Sequence, residues 1–148
     1  MKLELKKIKI HNDMSDETTA FSAELWLDGK KAFFIKNDGC GGSHYYDRIV
    51  GCGFEFEDLN KYAKDKYPSE EFEVVDHMID EMINDYEENK QLKGWCKRKL
   101  VFRLKGDAKG IYNTVPMLTP FNYSKELGIA HTKKYGDLLE EIINERFL

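Results

Sequence analysis

Between Asn37 and Arg48 the chain reads N-D-G-C-G-G-S-H-Y-Y-D-R, a concentration of groups able to bind or react. Glycines at 39, 41 and 42, ahead of Ser43, Tyr45 and Tyr46, would let successive backbone N–H groups turn into one concavity and cradle a phosphate or carboxylate. His44, Arg48 and the tyrosine rings would then hold a base or other ring beside the anion, with Asn37 and Asp38 completing the candidate contact set. The spacing is neither that of the P-loop nor the dinucleotide fingerprint. The other reading is architectural, since Gly39, Gly41 and Gly42 equally permit positive φ in a tight, irregular connection.

Cys40, His44, Cys52 and the distant Cys96 have the residue types of a tetrahedral zinc site, but C-x3-H-x7-C matches no common zinc ribbon or finger, so no metal or other cofactor is assigned. For catalysis the chain offers His44 with Asp38 and Asp47, and further histidines at 11, 77 and 131. None sits in a recognised catalytic motif, which favours a binding protein over an enzyme, with a small hydrolase or nuclease using His44 and the neighbouring aspartates as the alternative. Lys97, Lys99, Arg103 and Lys105, alternating along one predicted strand face with Trp95, form a second basic surface with the makings of a nucleic-acid platform. Such lysines also guard an edge strand, and the acidic residues between Glu73 and Glu88 offer them partners.

The elements that must position the 37–48 stretch are legible around it. Phe21, Ala23, Leu25 and Leu27 alternate with polar residues as in a half-buried strand, Asp28-Gly29 gives a hairpin turn, and residues 31–36 return. Leu3 to Ile10 is a strand whose apolar residues change phase near Lys6-Lys7, which predicts a bulge. After the loop, Phe56, Leu59, Tyr62, Ala63 and Tyr67 have helical spacing up to Pro68. Ser69 is placed to cap a second helix with its apolar stripe at Val74, Val75, Met78, Ile79, Met82, Ile83 and Tyr86. Period two returns from Trp95, Leu100, Phe102 and Leu104 being expected inside, and Ile111 to Val115 comes back after the G-D-A-K-G turn. Ser124 is expected to cap a short helix to about Lys134, stopped by Gly136, and Asp137 with Glu140 to open a last helix with Leu138, Leu139, Ile142, Ile143 and Phe147 as its apolar face. The expected fold is α+β, an antiparallel sheet of four or five strands with helices packed on one face.

The totals set the context. At 148 residues one globular domain, 1–148, is expected, and a charged fraction of 34% against 41% hydrophobic residues implies a heavily charged surface. A net charge of −4 argues against whole-surface attraction to nucleic acid or anionic lipid. Three widely spaced cysteines suggest a reducing cytoplasm, and neither a signal-peptide run nor a membrane span is evident. Trp26, opposite Phe21 and Leu25, is a candidate contact in a homo-oligomer.

Two blocks taken together, S-D-E-T-T-A-F-S-A-E-L-W-L-D-G-K-K with N-D-G-C-G-G over 15–42, and F-R-L-K-G-D with the later K-K-Y-G-D, resemble a group of small uncharacterised bacteriophage and prophage proteins. The resemblance implies a phage accessory protein in the bacterial cytoplasm and assigns no residue a role. The combined expectation is a protein that sequesters a phosphorylated small ligand or inhibits a host factor of antiviral defence. Nucleic acid is the less favoured partner and a membrane is not expected.

Overall fold

The structure, a computed structural model, describes residues 1–118 and 120–148. It is α+β, as expected, but its strands form two antiparallel sheets, of four and three strands, in place of one sheet of four or five. The chain gathers into two compact units, Met1–Ile83 and Asn84–Leu148.

The first unit is built on the sheet β1-β2-β3-β4, formed by β1 (Leu3–Ile10), β2 (Phe21–Leu27), β3 (Lys30–Asn37) and β4 (Tyr45–Arg48). Asp28 and Gly29 take φ of 49° and 80°, the left-handed pair that a two-residue hairpin requires. The predicted bulge lies in β1, where pairing with β2 slips between Lys6 and Lys9 and Lys7 adopts a φ of 52°. One sheet face is buried. Phe21, Leu25, Leu27, Phe33 and Ile35 pack against Leu59 and Ala63 of α1 (Phe56–Lys66) and against Val75, Met78 and Ile79 at the start of α2 (Val74–Cys96).

The other face presents Ser22, Glu24 and Trp26 of β2 beside Lys31, Phe34 and Lys36 of β3. Glu24 is only 8% exposed there. Its carboxylate receives Lys31 Nζ at 2.9 Å, Lys7 Nζ at 3.7 Å and Trp26 Nε1 at 3.3 Å. The hydrogen bond from Lys31 is the main reason that its carboxyl lies below the ordinary value of 4.5.

α2 begins at Val74, so Ser69 is not its cap; Glu73, at φ 49°, turns the chain into the helix. The helix then runs to Cys96, past the point where period-two alternation was expected to resume at Trp95, because Leu92, Trp95 and Cys96 share a core that only a helix lets them reach together.

In the second unit β5 (Lys99–Leu104) is the central strand between β6 (Asn113–Pro116) and β7 (Leu139–Ile142). Leu100, Val101 and Phe102 are all buried. Leu100 and Phe102 join Ile142 on one side, and Val101 joins Leu92 and Ile143 on the other. Both faces of β5 are therefore covered, in contrast to the one-sided strand inferred from its lysines. Ser124 caps α3 (Lys125–Thr132), accepting from the Leu127 N–H at 3.2 Å. The expected last helix is instead β7 followed by a 3-10 turn, Ile143–Phe147, because Phe102 and Arg103 offer an open strand edge to Ile142 and Glu141. Asn144, 3% exposed, ties this turn to the sheet: its Oδ1 accepts from Val101 N at 2.7 Å, and its Nδ2 donates to Lys99 O at 2.9 Å and Cys96 O at 3.3 Å.

Asn144→Ala orphans a buried N–H and two carbonyls, and is expected to lower stability by about 2–3 kcal/mol in urea unfolding. A second expectation concerns pH. Because the Glu24 carboxyl is depressed on folding, its contribution is complete above the unfolded-state pKa and is lost as pH falls through the lower folded-state value. Glu24→Gln, which does not titrate, should lose less stability than wild type when urea midpoints at about pH 6 and about pH 3 are compared.

Candidate functional site

The 37–48 stretch is arranged around the amide of Asn37, itself 7% exposed. Its Oδ1 accepts from Thr18 Oγ1 at 2.7 Å and from the Gly39 N–H at 2.8 Å. A backbone N–H can only donate, so the amide orientation is determined, and Nδ2 must donate to His44 Nδ1 at 3.0 Å and to Gly42 O at 3.4 Å. His44 therefore carries its proton on Nε2 and gives it to Asp80 Oδ1 at 2.7 Å. The imidazole, its side chain 6% exposed, also stands edge-on to Phe21 with centroids 4.9 Å apart.

The following residues are fastened to the first turns of α2. Ser43 Oγ donates to Glu73 at 2.7 Å, the His44 N–H to Asp76 Oδ2 at 2.8 Å, and Tyr46 Oη to Asp76 Oδ1 at 2.6 Å. Burial, reinforced by the Asp76 carboxylate, pushes the Tyr46 phenol far above its ordinary value. The acidic face of the helix, a solvated surface by composition, thus supplies the acceptors for this loop. Arg48 points away to the next connection, where Nε donates to Phe54 O at 2.7 Å and Nη2 meets Glu55 at 2.9 Å.

These contacts decide what the glycines do. The N–H groups of Gly39, Cys40 and Gly41 are taken by Asn37 Oδ1, Asp38 Oδ1 and Thr18 Oγ1. They do not form the anion cradle that their spacing suggests. Gly39 has a φ of +85°, and a Cβ there would stand 2.3 Å from Met14 O; one on Gly41 would stand 2.5 Å from Glu17 Oε2. Close backbone approach is the requirement at Gly39, whereas at Gly41 the near atom ends a flexible side chain and the requirement is its φ of +91°. Both His44 nitrogens are engaged, which leaves none to accept a proton from a substrate. Among the described residues no group of three or more His, Cys, Asp or Glu side chains is placed to hold a metal ion. Cys40 is exposed, whereas Cys52 is buried with its Sγ 3.3 Å from Phe54 O.

What stays open beside the loop is a groove of about 650 Å³. His11, Met14 and Ser22 line it together with Lys36, Asp38 and Tyr45. Lys36 Nζ lies 5.2 Å from the centroid of the Tyr45 ring, and Tyr45 is 62% exposed. Of the predicted contact set, Asn37, Asp38, Gly41, Ser43 and Tyr45 border this groove; Met14, Ser22 and Lys36 lie outside that set, and His11 enters the sequence reading only as a catalytic histidine. Lys36 and Tyr45 are cross-strand partners, a relation that needs the register of β3 against β4.

No protein-family model, curated protein or solved structure matches the chain.

The second basic surface does not assemble as one platform. Arg103 is the buckle of the turn after β5, donating to Ile111 O at 2.9 Å, Asp107 O at 3.0 Å and Ala108 O at 3.3 Å, with Glu140 at 3.3 Å from Nε. Lys99 lies over the Trp95 ring at 5.8 Å, and Lys97 and Lys105 are exposed without sharing that ring.

Substitution of two neighbouring glycines separates strain from collision. Gly42, at φ +87°, has open space around its missing Cβ. Gly42→Ala should cost only the conformational term, about 1–2 kcal/mol, whereas Gly39→Ala should cost clearly more in the same thermal unfolding experiment because the Met14 carbonyl must move.

Proposed function

We propose that the protein is a binding protein that takes a small phosphorylated ligand in the groove of the first unit. The observation that supports this reading best is the pairing of Lys36 with the exposed Tyr45 ring on the groove wall, a cation beside a stacking surface. In this reading Lys36 and His11 meet the phosphate, Tyr45 stacks on the base, and the Ser22 hydroxyl and the free lone pairs of Asp38 select among ribose and base donors. The 37–44 loop is the rigid wall that holds these groups apart. In the phage setting that the sequence resemblance implies, the outcome is sequestration of a nucleotide-like ligand from a host defence factor. No helix among the described residues is long and apolar enough to cross a membrane.

Isothermal titration of the full chain with ribonucleoside mono- and diphosphates and with inorganic phosphate tests the proposal. Binding of at least one nucleotide is expected, weakened roughly tenfold by Lys36→Glu and about as much by Tyr45→Ala, with the folded circular dichroism signal retained. No detectable binding at millimolar ligand, or binding that neither substitution changes, overturns it.

A further inference from the structure

The groove opens onto the exposed face of the β1–β4 sheet, and the composition of that face points to a longer ligand. Register puts Ser22, Lys36 and Tyr45 in one cross-strand row, Glu24, Phe34 and Asp47 in the next, and Trp26 with Lys31 in a third. Trp26, Phe34 and Tyr45 therefore stand on one diagonal across three adjacent strands, each stepping one strand and two residues from the last. From sheet geometry these steps are roughly 8 Å each, close to the spacing of bases splayed along an extended single strand. Tyr45 is 62% exposed and Phe34 37% exposed.

Lysines flank this diagonal. Lys6 lies over the Trp26 ring at 3.9 Å from its centroid, and Lys9 pairs across from Ser22. The one buried carboxylate of the face, Glu24, already has Lys31 and Lys7 within 4 Å. Among the described residues no carboxylate pairs with Lys6, Lys9 or Lys36. The unit as a whole carries more acidic than basic side chains, whereas on this face Lys6, Lys9, Lys31 and Lys36 outnumber Glu4, Glu24 and Asp47. Phosphates meeting these ammonium groups while bases stack on the rings is the single-strand binding mode, for which duplex DNA, with its bases already stacked inside, is unsuited.

We infer that this sheet face binds single-stranded nucleic acid of about three nucleotides, with Tyr45, Phe34 and Trp26 stacking successive bases and Lys6, Lys9 and Lys36 contacting phosphates. The inference rests on the groove reading in that Lys36 and Tyr45 belong to both, and extends it to residues that a mononucleotide would not reach.

Fluorescence anisotropy of the full chain with labelled single-stranded oligonucleotides of one to eight residues, alongside a duplex of the same sequence, provides the test. Affinity should climb steeply to about three nucleotides and then flatten, with the duplex at least tenfold weaker. Phe34→Ala and Trp26→Ala should each weaken the oligonucleotide roughly tenfold while leaving mononucleotide titration unchanged, and Lys6→Gln with Lys9→Gln should reduce the slope of log affinity against log salt by about 0.7 per lysine. An oligonucleotide held no more tightly than a mononucleotide, or one indifferent to Phe34→Ala and Trp26→Ala, sinks the sheet-face inference and leaves the groove standing. Equal binding of heparin or poly-glutamate that Phe34→Ala does not weaken reduces the face to a plain basic patch and also overturns it. Failure of every nucleotide and oligonucleotide to bind removes both readings.

Discussion

The Asn37 side chain is the interaction on which the first unit's site depends. It is a buried amide, and a buried amide left unpaired is costly, so all of its capacity must be met within the chain. Thr18 and the Gly39 N–H meet the oxygen, and Gly42 and His44 accept from the nitrogen. One side chain thereby determines the entry of the loop, the path of its glycines and the tautomer of the histidine that follows. Because the Gly39 carbonyl in turn accepts from the N–H groups of Asp16 and Thr18, the connection from β1 to β2 is held by the same hub.

A second constraint is the disposal of the acidic helix face. Glu73, Asp76 and Asp80 would repel one another as a solvated stripe, but each accepts a hydrogen bond from residues 43–46. Charge-assisted bonds of this kind are short and directional, which makes the loop a rigid wall. Rigidity is useful to a binding groove, since a preformed site does not pay to order itself when ligand arrives. The cost is that the histidine, serine and backbone amides nearest the groove are no longer free for chemistry. In the proposed binding reading the groups that meet the ligand therefore lie on the neighbouring strands.

Short-range signals carried much of the fold. The hairpin at Asp28-Gly29, the bulge near Lys6-Lys7, the Ser124 cap and the β2 alternation all rest on local stereochemistry, and each is present. The misreadings share one cause. Leu139 to Phe147 has apolar residues at intervals that suit a helix, yet Glu141 and Ile142 pair with β5, and the hydrogen-bonding need of a strand edge outweighed a capping pattern. Likewise the lysines at 97, 99 and 105 suggest a wet strand face, but Val101 between them is fully buried because β5 is central in its sheet. Whether a strand is central or at an edge depends on partners distant in sequence.

The candidate site divides in the same way. Sequence alone determined that the glycine-bearing part of residues 37–48 would be an irregular connection, because φ preferences are properties of adjacent residues, whereas the fourth strand at its end, Tyr45–Arg48, exists only through pairing with β3. It also determined the α+β class. Only the tertiary structure decided which groups in that connection remain available. His44 and the Gly39–Gly41 amides are taken by Asn37, Asp38, Thr18 and Asp80, whereas Lys36, Tyr45, Phe34 and Trp26 come into one array through the register of three strands. Hydrogen-bond capacity is settled by whatever lies within 3 Å or so, and although Asn37 is only 7 residues from His44, Thr18 and Asp80 reach Gly41 and His44 from 23 and 36 residues away, distances over which no local pattern in the chain carries information.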